Sequence, residues 1–146
     1  MEDYRKMAEA NQRRGREIIA ETQLVESWEA IGAQANLIGS LSTGLMMKKL
    51  DIDMHVYTDT LSIKESFRAA ARIASHPGIV RMEYTNLIDT EEECIEWHAA
   101  YRDRDGRMWK MDMIHIRRGS AYDGFAERMA SRIGAVEEIL QHAATT

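Results

Sequence analysis

Two aspartates separated by one residue, Asp51 and Asp53, most constrain what this chain can be. They open an alternating run at 51–58 that is typical of a strand with one apolar face. Residues at i and i+2 of a strand point to the same face, about 7 Å apart, so the two carboxylates would lie side by side. Like charges so placed repel unless a cation compensates them. The pair therefore suits divalent metal ions better than it suits folding.

A Gly-Ser pair precedes these carboxylates. Gly39-Ser40 ends a short apolar strand predicted at 35–38, and ten residues separate it from Asp51. Glycine permits a close backbone approach, and Ser40 begins a predicted short helix whose free N–H groups can hold a phosphate. A third carboxylate, Asp112, stands in an apolar setting on a later strand, where it needs a metal or a partner. If the two strands are neighbours, the carboxylates form one cluster suited to metal-dependent phosphoryl or nucleotidyl transfer.

The remaining sequence predicts a mixture of helices and strands. A polar, helix-prone stretch covers 2–20, and a second helix, capped by Thr22, ends at Gly32. Whether these are two helices or one bent helix stays open. Further along, Ser62 and Glu65 have the form of a capping box, in which each side chain satisfies the other's backbone N–H. The helix after this box is predicted to bury one apolar stripe, made of Ile63, Phe67, Ala70, Ala71 and Ala74.

Three more strands are predicted at 80–85, 95–102 and 108–116. An Asp-Gly turn at 102–107 joins the last two as a hairpin, and a final helix begins near Ser120. The element order favours an α+β fold: a mixed, mostly antiparallel β-sheet of about five strands flanked by helices.

Length and composition favour a single domain covering residues 1–146. We expect a core at 33–117, N-terminal helices at 2–32 and a C-terminal helix at 120–143. A net charge of −5 without a basic block makes a nucleic-acid partner unlikely. The single Cys94 cannot form an internal disulfide, and the sequence lacks a signal peptide and any apolar run of membrane-spanning length. These features predict a cytoplasmic protein that does not bind a membrane.

Taken together, the motifs resemble the signature of the DNA polymerase β-type nucleotidyltransferase superfamily. That signature is an apolar residue, Gly, Gly or Ser, a spacer, an Asp-apolar-Asp-apolar run and a carboxylate on a later strand. Ile38, Ile52 and Met54 fill its apolar places, and the resemblance covers about 39–112. It implies a minimal nucleotidyltransferase-like domain that transfers a nucleoside monophosphate (NMP) from an NTP, for example ATP, to an acceptor.

The resemblance also implies roles for individual residues. Asp51 and Asp53 would ligate two Mg²⁺ ions. Asp112 would ligate one of them and help to deprotonate the acceptor. Gly39 and Ser40 would hold the triphosphate.

This chain departs from many small members in having no arginine after the Gly-Ser pair. The phosphate charge would be met by Lys48, Lys49 or the metals alone. The expected acceptor is a hydroxyl of a small molecule or a protein, bound near the final helix, the N-terminal helices or another subunit.

Two alternatives of other classes stay open. One is a non-catalytic nucleotide- or metal-binding module that regulates a partner, for example in a toxin–antitoxin pair. The other is a structural, oligomer-forming domain, and a homo-oligomer or a protein partner is compatible with each reading. Four further side chains receive plain interpretations. Glu96, His98 and His115 could form a second polar cluster, but a solvated sheet face is the interpretation we prefer, and Cys94 is interpreted as a small core residue.

Overall fold

The described part of the chain contains three helices and five strands. The structure is a computed structural model that describes residues 2–39, 41, 49–120 and 123. In chain order the elements are α1 (Glu2–Glu21), α2 (Leu24–Glu29), β1 (Gln34–Ile38), β2 (Asp51–Thr58), α3 (Ile63–Ala74), β3 (Ile79–Leu87), β4 (Cys94–Arg102) and β5 (Met108–Arg117). The helices predicted after Ser40 and at 120–143 fall mostly or wholly outside the described residues. No helix among the described residues is long and apolar enough to cross a membrane.

The five strands form one sheet in the order β1-β2-β5-β4-β3. Only β2 and β5 run parallel to each other, and the three other neighbouring pairs are antiparallel. The prediction of a mixed, mostly antiparallel sheet flanked by helices is confirmed. Between β2 and β5 the chain passes through α3, β3 and β4, so the parallel contact joins strands that are distant in sequence.

All three helices pack on one face of the sheet, which we call the back face. Its centre is built from Ile52 and Met54 of β2 and Met113 of β5, all fully buried. Trp28 of α2 is buried against them, and its Nε1–H donates to the sulfur of Met113 at 3.4 Å. The N-terminal helices therefore lie behind the sheet as seen from Asp51, which argues against their forming the acceptor site.

The boundary between α1 and α2 differs from the prediction. Gln23, in the left-handed conformation with φ 53°, occupies the N-cap of α2 and makes no side-chain cap. The hydroxyl of Thr22 instead donates back to the carbonyl of Ile18 at 2.8 Å, closing the end of α1. Thr22 is thus not a cap of the second helix, and the two segments are separate helices.

Only one of the two hydrogen bonds of the predicted capping box is present at the start of α3. The Ser62 hydroxyl accepts the backbone N–H of Glu65 at 3.2 Å. The Glu65 carboxylate pairs with Arg68, one turn later, so its expected bond back to Ser62 is replaced.

The buried face of α3 is also rotated from the predicted apolar stripe. Of the predicted stripe, Ala70 is buried, but Ile63 and Phe67 are 40% and 44% exposed, whereas Ser66 and Ile73 are fully buried. The reason is that Ser66 turns inward to bond two side chains of the sheet, Trp97 and His115. A polar contact, rather than apolar periodicity alone, sets the orientation of this helix.

A buried hydrogen-bond chain runs through His115 on the back face. The hydroxyl of Thr58 donates to the carbonyl of Thr60 at 2.8 Å, so it accepts from His115 Nε2 at 2.7 Å. On the other side, Ser66 accepts from Trp97 Nε1 at 2.8 Å and donates to His115 Nδ1 at 3.0 Å. Both ring nitrogens are therefore satisfied in the neutral form, and burial lowers the pKa of His115 from 6.5 to about 4.

An ion pair joins α1 to the turn between β4 and β5. The Arg14 guanidinium lies 2.6 Å from Oδ1 of Asp103, whose side chain is only 2% exposed. The same oxygen accepts the backbone N–H of Arg104 at 2.8 Å, which fixes the turn. Because Arg14 stabilises the ionised form, the pKa of Asp103 falls to about 2.

We expect His115 to make the fold sensitive to mild acid. Its folded pKa of about 4 lies below 6.5, so between these values the unfolded chain binds more protons. Stability from this residue is present above pH 6.5 and falls with pH through about 4, by on the order of 3 kcal/mol. His115→Gln should remove this component. Urea unfolding at a series of pH values measures it, with His76→Gln as the control. A pH profile that His115→Gln leaves unchanged would contradict the assignment.

Candidate functional site

The sheet face opposite the helices carries the predicted carboxylates. We call it the carboxylate face. Asp53 of β2 and Asp112 of β5 are Cα partners across the parallel strand pair, and their carboxyl groups share a hydrogen bond. Asp51, two residues before Asp53 on the same face, is the partner of Lys110. The neighbourhood of β2 and β5, on which the three-carboxylate prediction depended, is present.

The burial of Asp53 and the proximity of two other carboxylates affect its pKa. Its pKa rises from 3.8 to about 6, first because the group is partly desolvated and then because Asp112 and Asp51 lie near. The ammonium of Lys110 opposes this rise only in part. A carboxyl group in this state is poised to bind a cation, since a positive charge would relieve the same repulsion.

Gly39 lies directly against this carboxylate. Its φ of +74° is favoured by glycine, and a Cβ added there would stand 2.8 Å from Oδ2 of Asp53. The end of β1 therefore forms a wall of the site through backbone alone. Ser40 and Lys48 lie outside the described residues, and Lys49 is exposed just before β2.

His98 of β4 lies on the other side of Asp112. The two residues are Cα partners, and His98 Nδ1 is 2.6 Å from Oδ1 of Asp112. The second ring nitrogen, Nε2, is 3.3 Å from Oε2 of Glu96. The hydrogen bond to Asp112, with a smaller contribution from Glu96, raises the pKa of His98. The polar cluster that the sequence allowed is therefore present for Glu96 and His98, and His98 also bonds to Asp112, so the preferred interpretation as a merely solvated face was incomplete. His115 lies on the back face and is not part of this cluster.

The sequence did contain a signal for this contact. The turn after β4 pairs Arg102 with Met108, and each step back along β4 matches one step forward along β5. Four such steps bring His98 opposite Asp112. Applying the hairpin register to the polar face would have predicted the pair.

A groove of about 350 Å³ extends from Asp112 across β4 to β3. It is lined by Arg81, Glu83, His98, Ala99, Ala100, Lys110 and Asp112. Arg81 and Glu83 form an ion pair on the far side. Lys110, which the sequence analysis did not select, brings a cation to the carboxylates themselves, where only Lys48 and Lys49 had been expected.

A second group on this face has a possible metal-binding arrangement. Glu92, Cys94 and Glu96 each place one ligand atom within 4.8 Å of the others. Cys94 is fully buried, as predicted, and burial raises the pKa of its thiol to about 12. A thiol that resists ionisation is a poor metal ligand, so this group is secondary to the carboxylates.

Comparisons with known proteins extend these observations. No protein-family model matches the sequence, and no curated protein matches it. Among solved structures, Cid1 in complex with its short product ApU matches with a TM-score of 0.57 at 13% identity, over 87% of this chain and 36% of that chain. The Cid1 poly(U) polymerase with MgGTP bound matches with a TM-score of 0.54 at 16% identity, over 75% of this chain and 33% of that chain. A cytoplasmic RNA terminal U-transferase matches with a TM-score of 0.54 at 14% identity, over 93% of this chain and 39% of that chain.

This chain has the nucleotidyltransferase fold. The resemblance to DNA polymerase β-type nucleotidyltransferases is thus confirmed at the level of architecture. The chain spans 33% to 39% of the length of these three structures. Identities this low concern the fold, and the chemistry must be argued from the residues on the carboxylate face.

We predict that Gly39→Ala costs more stability than Gly32→Ala. Both glycines have a positive φ, which costs a non-glycine residue about 1–2 kcal/mol, but a Cβ at Gly32 meets nothing within 4 Å. The excess cost at Gly39 measures displacement of the Asp53 carboxylate. Urea unfolding of the two variants provides the comparison, and calorimetric titration with Mn²⁺ should show weaker binding only for Gly39→Ala. Equal behaviour of the pair would refute the contact.

Proposed function

We propose that this chain is an Mg²⁺-dependent nucleotidyltransferase that moves an NMP from an NTP onto an acceptor hydroxyl. The observation that carries the proposal is the pairing of Asp53 with Asp112 across β2 and β5, beside Asp51 and the bare backbone of Gly39. The fold shared with polymerases and a terminal transferase supports it.

The residues fit divalent cations. Carboxylate oxygens are the ligands that Mg²⁺ prefers, and Asp51, Asp53 and Asp112 offer them from two adjacent strands. The pKa of Asp53 is raised to about 6, first by desolvation and then by the charges of Asp112 and Asp51, and a bound cation would relieve that repulsion. These three side chains would hold the ions. When bound, the two ions would supply Lewis-acid stabilisation of the charge on the phosphates.

The protein's own groups have separate tasks in this proposal. Gly39 and Ser40 present backbone N–H groups to the triphosphate, and Lys48 and Lys49 add charge to it. Lys110 supplements them, because it lies beside the carboxylates. The acceptor oxygen forms a bond to the α-phosphorus of the NTP while the bond to pyrophosphate breaks.

Asp112 receives the proton that the acceptor hydroxyl loses in that step. Its carboxylate is 30% exposed and opens onto the groove over β4, so a hydroxyl can reach it from solvent. We therefore assign the groove side of Asp112 to the acceptor and the Gly39 side to the nucleotide.

The acceptor we favour is a hydroxyl of a small molecule or a protein. The acidic net charge of −5 supports this choice, and in the groove Arg81 is already paired with Glu83. An RNA end is the second candidate, since the matched structures are an RNA terminal U-transferase and a poly(U) polymerase. We place the reaction in the cytoplasm, where the unpaired, buried Cys94 stays reduced.

Asp53→Asn and Asp112→Asn should each abolish transfer of labelled NMP. At Asp112, loss of the general base alone should lower the transfer rate by about 10²- to 10⁴-fold. At Asp53, the rate should fall because a metal ligand is lost. The assay follows pyrophosphate release with Mg²⁺ and each NTP, against panels of small molecules, proteins and RNA. Asp105→Asn, in the exposed turn between β4 and β5, is the matched control.

Three outcomes separate the alternatives. Transfer to the RNA panel alone would replace the favoured acceptor with the second candidate. NTP binding without pyrophosphate release on any panel would favour the non-catalytic regulatory module. Undiminished turnover in the Asp53→Asn, Asp112→Asn double variant would overturn the mechanism.

A further inference from the structure

We infer that His98 is a positioning residue that holds the carboxylate of Asp112 in its working orientation, an inference that rests on the proposed function. His98 need not touch the reacting atoms to do this. It acts through one oxygen of Asp112 and leaves the rest of that group to the cation and the acceptor hydroxyl.

The strand register makes the contact rigid. His98 and Asp112 are directly opposed on antiparallel strands, and four further cross-strand pairs toward the turn keep both backbones in place. With the Cα atoms fixed, the 2.6 Å bond from His98 Nδ1 to Oδ1 of Asp112 leaves little choice of ring position. The contact is therefore part of the sheet rather than a chance meeting of surface side chains.

A second carboxylate holds the other end of the ring. Glu96, two residues earlier on the same face of β4, places Oε2 3.3 Å from His98 Nε2. Rotating the imidazole would lose both bonds, so Glu96 and Asp112 together fix its plane. Carboxylate–histidine contacts of this kind orient the groups that hold metal ions in many proteins.

The orientation of Asp112 needs such support. The terminal torsion of an aspartate is broad, and the neighbouring Asp53 carboxyl shares a hydrogen bond with Asp112. A donor on Oδ1 selects one carboxylate plane out of that range. The other oxygen is then left for the cation and for the hydroxyl that enters from the groove.

His98 contributes little to the core, which makes the inference testable. Its side chain is 40% exposed, and it lies on the face that the described helices do not cover. Replacing it should therefore alter the site more than the fold. His98→Leu removes both bonds, whereas the amide nitrogen of His98→Asn can take the place of Nδ1 and donate to Asp112.

The experiment compares His98→Leu, His98→Asn and the control His76→Leu in three measurements. These are Mn²⁺ affinity by calorimetry without nucleotide, kcat and KM for the NTP, and thermal unfolding. His98→Leu should lose 10- to 100-fold in kcat and in Mn²⁺ affinity, with KM for the NTP and the unfolding temperature near wild type. His98→Asn should recover most of the loss, and His76→Leu, which lies away from the carboxylates, should keep the wild-type kcat and Mn²⁺ affinity.

Unchanged kcat and Mn²⁺ affinity in His98→Leu would overturn the inference. Equal losses in the Leu and Asn variants of a folded protein would overturn it too, because the restored donor would then have no effect. A wild-type protein that binds Mn²⁺ but transfers no NMP would overturn the proposed function instead. In that case the difference in Mn²⁺ affinity between the two His98 variants still supports or refutes the positioning role.

Discussion

The parallel pairing of β2 with β5 is the contact on which the carboxylate site depends. It joins strands separated by a helix and two further strands, and it alone sets Asp53 opposite Asp112. A slip of one residue would oppose Asp53 with Met111 or Met113 and turn Asp112 toward the helices. The chemistry therefore requires that the register of β5 be held firmly against β2.

The back face supplies that restraint. His115, three residues after Asp112, is bonded to Thr58 of β2 and to Ser66 of α3, so it ties β5 to both neighbours at once. A slipped strand would leave several buried polar groups without partners, and each would cost about 1–3 kcal/mol. At the other end of β5, the Arg14–Asp103 pair holds the turn against α1. Polar contacts behind the sheet thus protect the geometry of the carboxylates in front of it.

The sequence predicted those parts of the fold that depend on local chemistry. Alternation identified β2, and the Asp-Gly turn identified the β4–β5 hairpin, whose register also encodes the His98–Asp112 pair. The adjacency of β2 and β5 required the family resemblance, because no local pattern states which distant strands pair. Helix orientation was beyond the sequence as well. Apolar spacing identified only part of the buried face of α3: Ala70 is buried as predicted, but Ile63 is exposed and Ser66 is buried by its bonds to Trp97 and His115.

The separation of the sheet into a helix-covered back face and a polar carboxylate face explains how the protein tolerates an unfavourable cluster of charge. A mostly antiparallel sheet can bury one face and leave the other polar, so repulsion among Asp51, Asp53 and Asp112 need not disturb the core. The strands cannot move apart to relieve it, because the back-face contacts fix them. What remains is visible in the pKa of Asp53, which is raised to about 6 first by desolvation and then by repulsion from Asp112 and Asp51. A cation that binds there gains from relieving it, and by linkage stabilises the native sheet. The charge repulsion that raises the cost of assembling the site is therefore also a source of its affinity for metal.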